Sequence, residues 1–157
     1  MSFAFNRDNL LKIESLKERY PSPKALTLPL LWLVKEQEGY ISLEAIDEVA
    51  KETTRPPMEI YKTATFYSMF NFEPNGKYHI QVCKTLSCSL CGSGEILDYL
   101  KDILKIDVGQ IGEDKRFSLV EVECLGSCST APMMQINSTN HENLTVEKID
   151  EILEGLL

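Results

Sequence analysis

Two cysteine pairs constrain this chain more than anything else in it. Cys83-x4-Cys88 and Cys124-x3-Cys128 each begin where a strand-like segment ends. Before the first pair, Tyr78, Ile80 and Val82 alternate with polar residues, the period of a half-buried strand. Before the second, Phe117 to Glu123 reads as another strand. The segment between them, with Ile96, Leu97, Leu100 and Ile103 at helical spacing, reads as a helix ending near Leu104. A strand–helix–strand unit argues for a right-handed parallel crossover. Adjacent parallel strands would bring both cysteine loops to one end of the sheet, where four thiolates could converge. Gly126, inside the second pair, can supply the positive φ that so tight a loop needs.

Four thiolates around two irons are the ligand set of a [2Fe–2S] cluster. Backbone N–H groups of the loops, and the start of the helix after Cys91 at Gly92-Ser93-Gly94, could offset the cluster's negative charge. Other chemistries compete for the same residues. Structural zinc also takes four cysteines, and both spacings lie within its usual knuckles. Cys88-Ser-Leu-Cys91 is a C-x-x-C between a strand and a helix, as in dithiol–disulfide oxidoreductases, although it leaves three cysteines unexplained. Cys83-x4-Cys88-x2-Cys91 repeats the plant-type ferredoxin spacing, but the helix-rich surroundings do not suit that small β-rich fold. Rieske-type ligation fails because neither His79 nor His141 sits beside a cysteine in the required motif.

The rest of the chain divides near Pro74-Asn75-Gly76. Ahead of that point everything reads as helix. Leu10, Ile13, Leu16 and Tyr20 share one stripe, with Asn6 or Asp8 as cap and Pro21-Ser22-Pro23 as stop. A second helix covers most of Ala25 to Glu38, is apolar nearly all round, and ends at Gly39; Trp32 within it is expected in the core, and Pro29 lies either in its first turn or at a kink. Ser42 should cap a third helix with Leu43, Ile46 and Val49 inward. Pro57 suits the first position of a fourth, whose inner face is Ile60, Ala64 and Tyr67. After the second cysteine pair, Pro132–Asn137 and a segment near His141–Leu144 would form a hairpin about Ser138-Thr139-Asn140. Thr145 should cap a last helix with Val146, Ile149, Ile152 and Leu156 inward.

Composition removes several roles. The 157 residues carry 16 basic and 24 acidic side chains, a net charge of −8, so there is no evident means of gathering phosphates and nucleic-acid binding is disfavoured. The longest apolar run, Leu28 to Val34, falls far short of the roughly 20 residues that span a bilayer. The start, Met1 to Asp8, has no basic segment followed by an apolar one, so no secretory signal is expected and the chain is placed in the cytoplasm. Five cysteines in such a chain point to metal or catalysis rather than disulfides. Gly92-x-Gly94 lacks the third glycine of a dinucleotide fingerprint, and nothing else reads as a nucleotide site. The run Thr65 to Phe72 is rich in aromatics, as a core joining the two halves or as a partner-binding patch. His79 and His141 read as surface or strand residues without a special role, and Asp107, Glu113 and Asp114 as solvated loop charges.

The segments Cys83-x4-Cys88-Ser-Leu-Cys91-Gly92-Ser93 and Val122-Glu-Cys124-Leu-Gly126-Ser-Cys128-Ser-Thr130-Ala-Pro132 resemble the E-subunit family of bacterial NADH:quinone oxidoreductases (respiratory complex I). Glu36 to Ser42, Ala64 to Phe70, Gly76-Lys77-Tyr78 and Glu142-Asn143-Leu144-Thr145 resemble other segments of that family. The resemblance implies an α+β chain: a helical bundle over residues 1–74, then a thioredoxin-like α/β domain with a mixed sheet over residues 75–157. It implies one [2Fe–2S] cluster held by Cys83, Cys88, Cys124 and Cys128, with Cys91 a spare thiol, Val146 where relatives have proline, and a cis bond before Pro132. The implied function is one-electron transfer beside a partner subunit that binds FMN and NADH, together with further iron–sulfur subunits. The chain would sit at the cytoplasmic face of the inner membrane through that complex, without inserting into the membrane or oxidising NADH alone. An NAD-linked hydrogenase or formate dehydrogenase could use an equivalent subunit. The acidic balance should disfavour the reduced cluster and so give a low potential.

Overall fold

A computed structural model describes residues 3–156 of the chain; of the N-terminal stretch discussed above, Met1 and Ser2 lie outside it, as does Leu157. The chain divides into two compact units, Met1–Pro74 and Asn75–Leu157.

The first unit is helical throughout. Helix α1 spans Arg7–Arg19 and starts at Asn6, whose side-chain oxygen accepts from the Asn9 N–H. The two prolines that follow stop it, and Pro23–Leu26 forms a 3-10 turn leading into α2, Thr27–Glu38. Pro29 sits in the first turn of α2, where a missing N–H costs nothing, and Gly39 ends the helix at φ +82°. Ser42 caps α3, Leu43–Thr53, through the Ala45 N–H, and Pro57 opens α4, Pro57–Phe66. Leu30, Leu31, Leu33 and Val34 of α2 are buried with Ile13, Ile46, Val49, Ile60 and Ala64 in one core.

Several expectations about inward-facing residues fail here. In α1 the buried positions are Asn9 and Ile13, while Leu10 is 48% exposed and Tyr20 lies outside the core. The buried amide of Asn9 is satisfied by Gln37 Oε1 at 3.0 Å, so a polar side chain occupies the inner face that periodicity assigns to Leu10. Trp32 is 42% exposed. Its ring packs edge-on against Phe70, and Lys35 Nζ stands 5.0 Å from its centroid. Leu43, in the first turn of α3, is 66% exposed. Tyr67, by contrast, is half-buried and packs against the core that holds Ile60 and Ala64, as expected.

The second unit holds β1 (Tyr78–Cys83), α5 (Leu86–Leu90), α6 (Ser93–Leu104), β2 (Gln110–Ile111), β3 (Phe117–Val122), β4 (Met134–Ile136), β5 (Thr139–His141) and α7 (Val146–Glu154), the last capped by Thr145. The sheet order is β2-β3-β1-β4-β5. β1 and β3 run parallel, from Tyr78↔Phe117 to Cys83↔Val122, as the strand–helix–strand pattern requires. The other pairs are antiparallel, so the sheet is mixed. One face is apolar: Ile80, Val82, Leu119, Met134 and Ile136 share a core with Ile96 and Leu100 of α6 and Ile149 and Leu153 of α7. The other carries polar pairs that follow the strand register, His79 with Ser118 and the chain Gln81–Gln135–Asn140.

The hairpin turns at Asn137-Ser138, one step earlier than the sequence suggests, so β5 begins at Thr139. Asn137 takes φ +55° there, a left-handed conformation that asparagine tolerates. Ile103 and Val146 are exposed rather than inward, and Leu153 takes a core place in α7. The Ala131–Pro132 bond is cis.

Gly76 feeds the chain into β1 against the edge of β3. Its N–H donates to Ser118 Oγ at 3.1 Å, and a Cβ there would lie 2.5 Å from the Phe117 carbonyl carbon. Backbone cannot yield as a flexible side-chain tip can. Gly76→Ala is therefore expected to destabilise the chain by about 1–3 kcal/mol; a urea melt with an unchanged midpoint would contradict this.

Candidate metal centre

Parallel pairing in register brings both cysteine loops to one end of the sheet. Cys83 is the last residue of β1 and lies opposite Val122, the last of β3, so Cys124 follows two residues beyond. Lys84 N–H donates to Val122 O at 3.0 Å and prolongs that pairing past the strand end. The chain then turns at once into α5, which the sequence suggests is loop. Five residues are too few to show a helical period. Cys88 sits on the inner side of α5 and is 1% exposed, as is Cys83; Met133 completes their buried cluster. Leu86 and Leu90, four residues apart, face outward.

Cys124 and Cys128 are exposed, with Sγ atoms 3.3 Å apart. Gly126 at φ +95° makes that approach possible and turns its own N–H onto Cys124 Sγ at 3.4 Å. Cys91 is exposed and caps the end of α5. The four sequence-predicted ligands thus stand as two pairs, one buried and one exposed, and the fifth cysteine belongs to neither. Among the described residues, no three His, Cys, Asp or Glu side chains are drawn together as around one ion.

Each pair holds one thiol below its ordinary range and one above it. Burial raises the Cys83 thiol, but the Thr85 side chain and backbone, Cys88 and the Leu125 backbone outweigh it, and the net shift is down. Cys88 is raised, first by burial and then by sharing a hydrogen with Cys83. Cys124 is lowered, chiefly by the Gly126 N–H and then by Cys128. Cys128 is raised by Cys124, with the Ser87 hydroxyl pulling the other way. Of the two sources of backbone donors that the sequence suggests, the loops supply them: Thr85, Leu125, Gly126 and Met133 act on the sulfurs, and the start of α6 is not among them. Lys84 and Glu123 form an exposed ion pair at 3.5 Å, a contact of small energetic value.

Glu142 supports the second cysteine loop, a role that spacing could not reveal. Its carboxylate accepts from Ser127 Oγ at 2.6 Å, next to Cys128, and the Thr130 hydroxyl, which donates to Ser127 O at 3.2 Å, adds to the lowering of its pKa. Asn143 N–H donates to Thr130 O at 2.7 Å in support. These contacts, Ser127 first, hold the carboxyl below its usual range. A depressed carboxyl stabilises the fold fully above its unfolded value and loses that contribution as pH falls through the folded one. Glu142→Gln should therefore melt below the parent at pH 7, with the gap closing in acid below the ordinary carboxyl range. A gap that stays constant with pH would contradict this role.

Two thiol pairs at one end of a mixed, helix-backed sheet match the two thiolates that a binuclear cluster takes at each iron. The chain belongs to the thioredoxin-like [2Fe-2S] ferredoxin family, whose model matches residues 13–157, and its cofactor is a [2Fe–2S] cluster. The E-subunit of the NADH-quinone oxidoreductase of Rickettsia bellii is 42% identical over 158 residues, covering 99% of this chain and 95% of that protein. Subunit 2 of the Thermus thermophilus NADH-quinone oxidoreductase is 43% identical over 147 residues, covering 92% and 81%. Among solved structures, an NAD+-reducing [NiFe]-hydrogenase in its H2-reduced state matches with a TM-score of 0.71 at 26% identity, over 81% of this chain but only 22% of the hydrogenase chain.

Proposed function

We propose that this chain is the one-electron carrier of an NADH:quinone oxidoreductase, with Cys83, Cys88, Cys124 and Cys128 as the ligands of its cluster. The observation that carries the reading is the placement of both thiol pairs at one end of the sheet, just beyond the parallel strands β1 and β3. When bound, the cluster accepts and passes on single electrons. The chain's own residues do the rest. Cys83, Cys88 and Met133 exclude water from one side. The backbone of Leu125, Gly126 and Met133 offsets charge on the sulfurs. The exposed Cys124–Cys128 side is the edge offered to a partner.

That partner is a subunit binding FMN and NADH, with further iron–sulfur subunits beyond it. Residues 75–157 are the cluster-bearing domain and residues 1–74 a helical domain. Among the described residues no helix is long and apolar enough to cross a membrane; the chain reaches the cytoplasmic face of the inner membrane through the complex. The equivalent subunit of an NAD-linked hydrogenase is the second reading, favoured by the fold match; the higher identity to the oxidoreductase subunits favours the first. Mixing tests the reading. NADH alone should leave the visible spectrum of the purified chain unchanged, and NADH with the flavin-binding subunit should bleach it. Bleaching by NADH alone, or no bleaching by the pair, would overturn it.

A further inference from the structure

Thr85 stands at the N-cap of α5 with extended backbone, yet its side chain makes no capping hydrogen bond. A threonine at that position ordinarily gives its oxygen to an N–H of the first turn. Here Thr85 Oγ1 lies 3.2 Å from Cys83 Sγ. A metal-bound thiolate can only accept, so the hydroxyl's single hydrogen must be donated to sulfur.

We propose that Thr85 is a positioning residue that sets the reduction potential, its hydroxyl donating to the Cys83 sulfur and favouring the reduced centre. The inference rests on the ligand assignment proposed above. Hydrogen bonds to cluster sulfurs raise the potential because each offsets charge that grows on reduction. The hydroxyl therefore works against the acidic balance of the chain, which pushes the potential down.

The test is an EPR-monitored redox titration of the full chain with its cluster. Thr85→Val keeps the branched shape and removes the hydroxyl. It should shift the one-electron equilibrium about tenfold toward the oxidised form, about 59 mV downward. Thr85→Ser should restore the parent potential, which a merely structural role would not require. Thr85→Ala serves as a second hydroxyl-free variant. An unmoved potential in Thr85→Val or Thr85→Ala overturns the proposal, and so does failure of serine to restore it. Loss of the cluster from both hydroxyl-free variants also overturns it, because a tuning hydrogen bond is not a ligand. A parent chain without [2Fe–2S] absorption would instead refute the ligand assignment, so the two failures are distinguishable.

Discussion

Cys88→Ala is expected to abolish the [2Fe–2S] absorption, while Cys91→Ser leaves it intact. The two residues are three apart, one within α5 and the other at its C-terminal cap, and their surroundings differ. Cys88 is buried against Cys83 and Met133. Cys91 is exposed at the end of α5, where its N–H only closes the last turn onto Ser87 and Cys88. If Cys88 is a ligand as proposed, its removal would leave the buried pair with Cys83 alone. Replacing Cys91 removes an exposed thiol outside both pairs. The plant-type spacing makes the opposite forecast: loss in Cys91→Ser, with retention in Cys128→Ser. Visible spectra of the three anaerobically purified variants decide between them.

Leu119→Ala should cost about 2–5 kcal/mol, the range for truncating a buried leucine where the surroundings relax only partly. Leu119 is fully buried at the middle of β3, opposite Ile80 on one side and Gln110 on the other. Its side chain belongs to the core shared by the sheet, α6 and α7. A domain stable by about 5–15 kcal/mol in all would lose a large share of that. The loss should reach the centre as well, because β3 carries the chain into the Cys124 loop and iron would be released to a chelator faster. Leu43→Ala is the matched control. That residue is mostly exposed, so its effect should stay within about 0.5 kcal/mol. Equal melting shifts for the two would contradict the burial pattern.

The contrast between Leu119 and Leu43 also marks what can be read from the residues alone. Chain punctuation is legible because it is local chemistry: Asn6, Ser42 and Thr145 as caps, Gly39 as a stop, Pro57 as a first helical residue. The parallel pairing of β1 and β3 is legible because two strand patterns enclose a helical one. The placement of both cysteine pairs at one sheet end follows from it. Leu43 and Trp32 mislead because an apolar residue near a helix start or on an open face satisfies the same periodicity as a buried one. Asn9 escapes for the converse reason, since only the fold brings it the Gln37 partner that offsets the cost of its burial. β2 has two residues and α5 five, too short to carry a period. Thr85 and Glu142 act through contacts made by the folded loops, and their residue types signal nothing by themselves.

A binuclear cluster held by two thiol pairs is the central claim. The most direct measurement is an anaerobic visible spectrum of the purified chain, with iron and acid-labile sulfide counted on the same sample. The expected result is a brown protein with two irons and two sulfides per chain, bleached by dithionite. A colourless protein with one zinc, or one that takes up no cluster on anaerobic reconstitution, would contradict it.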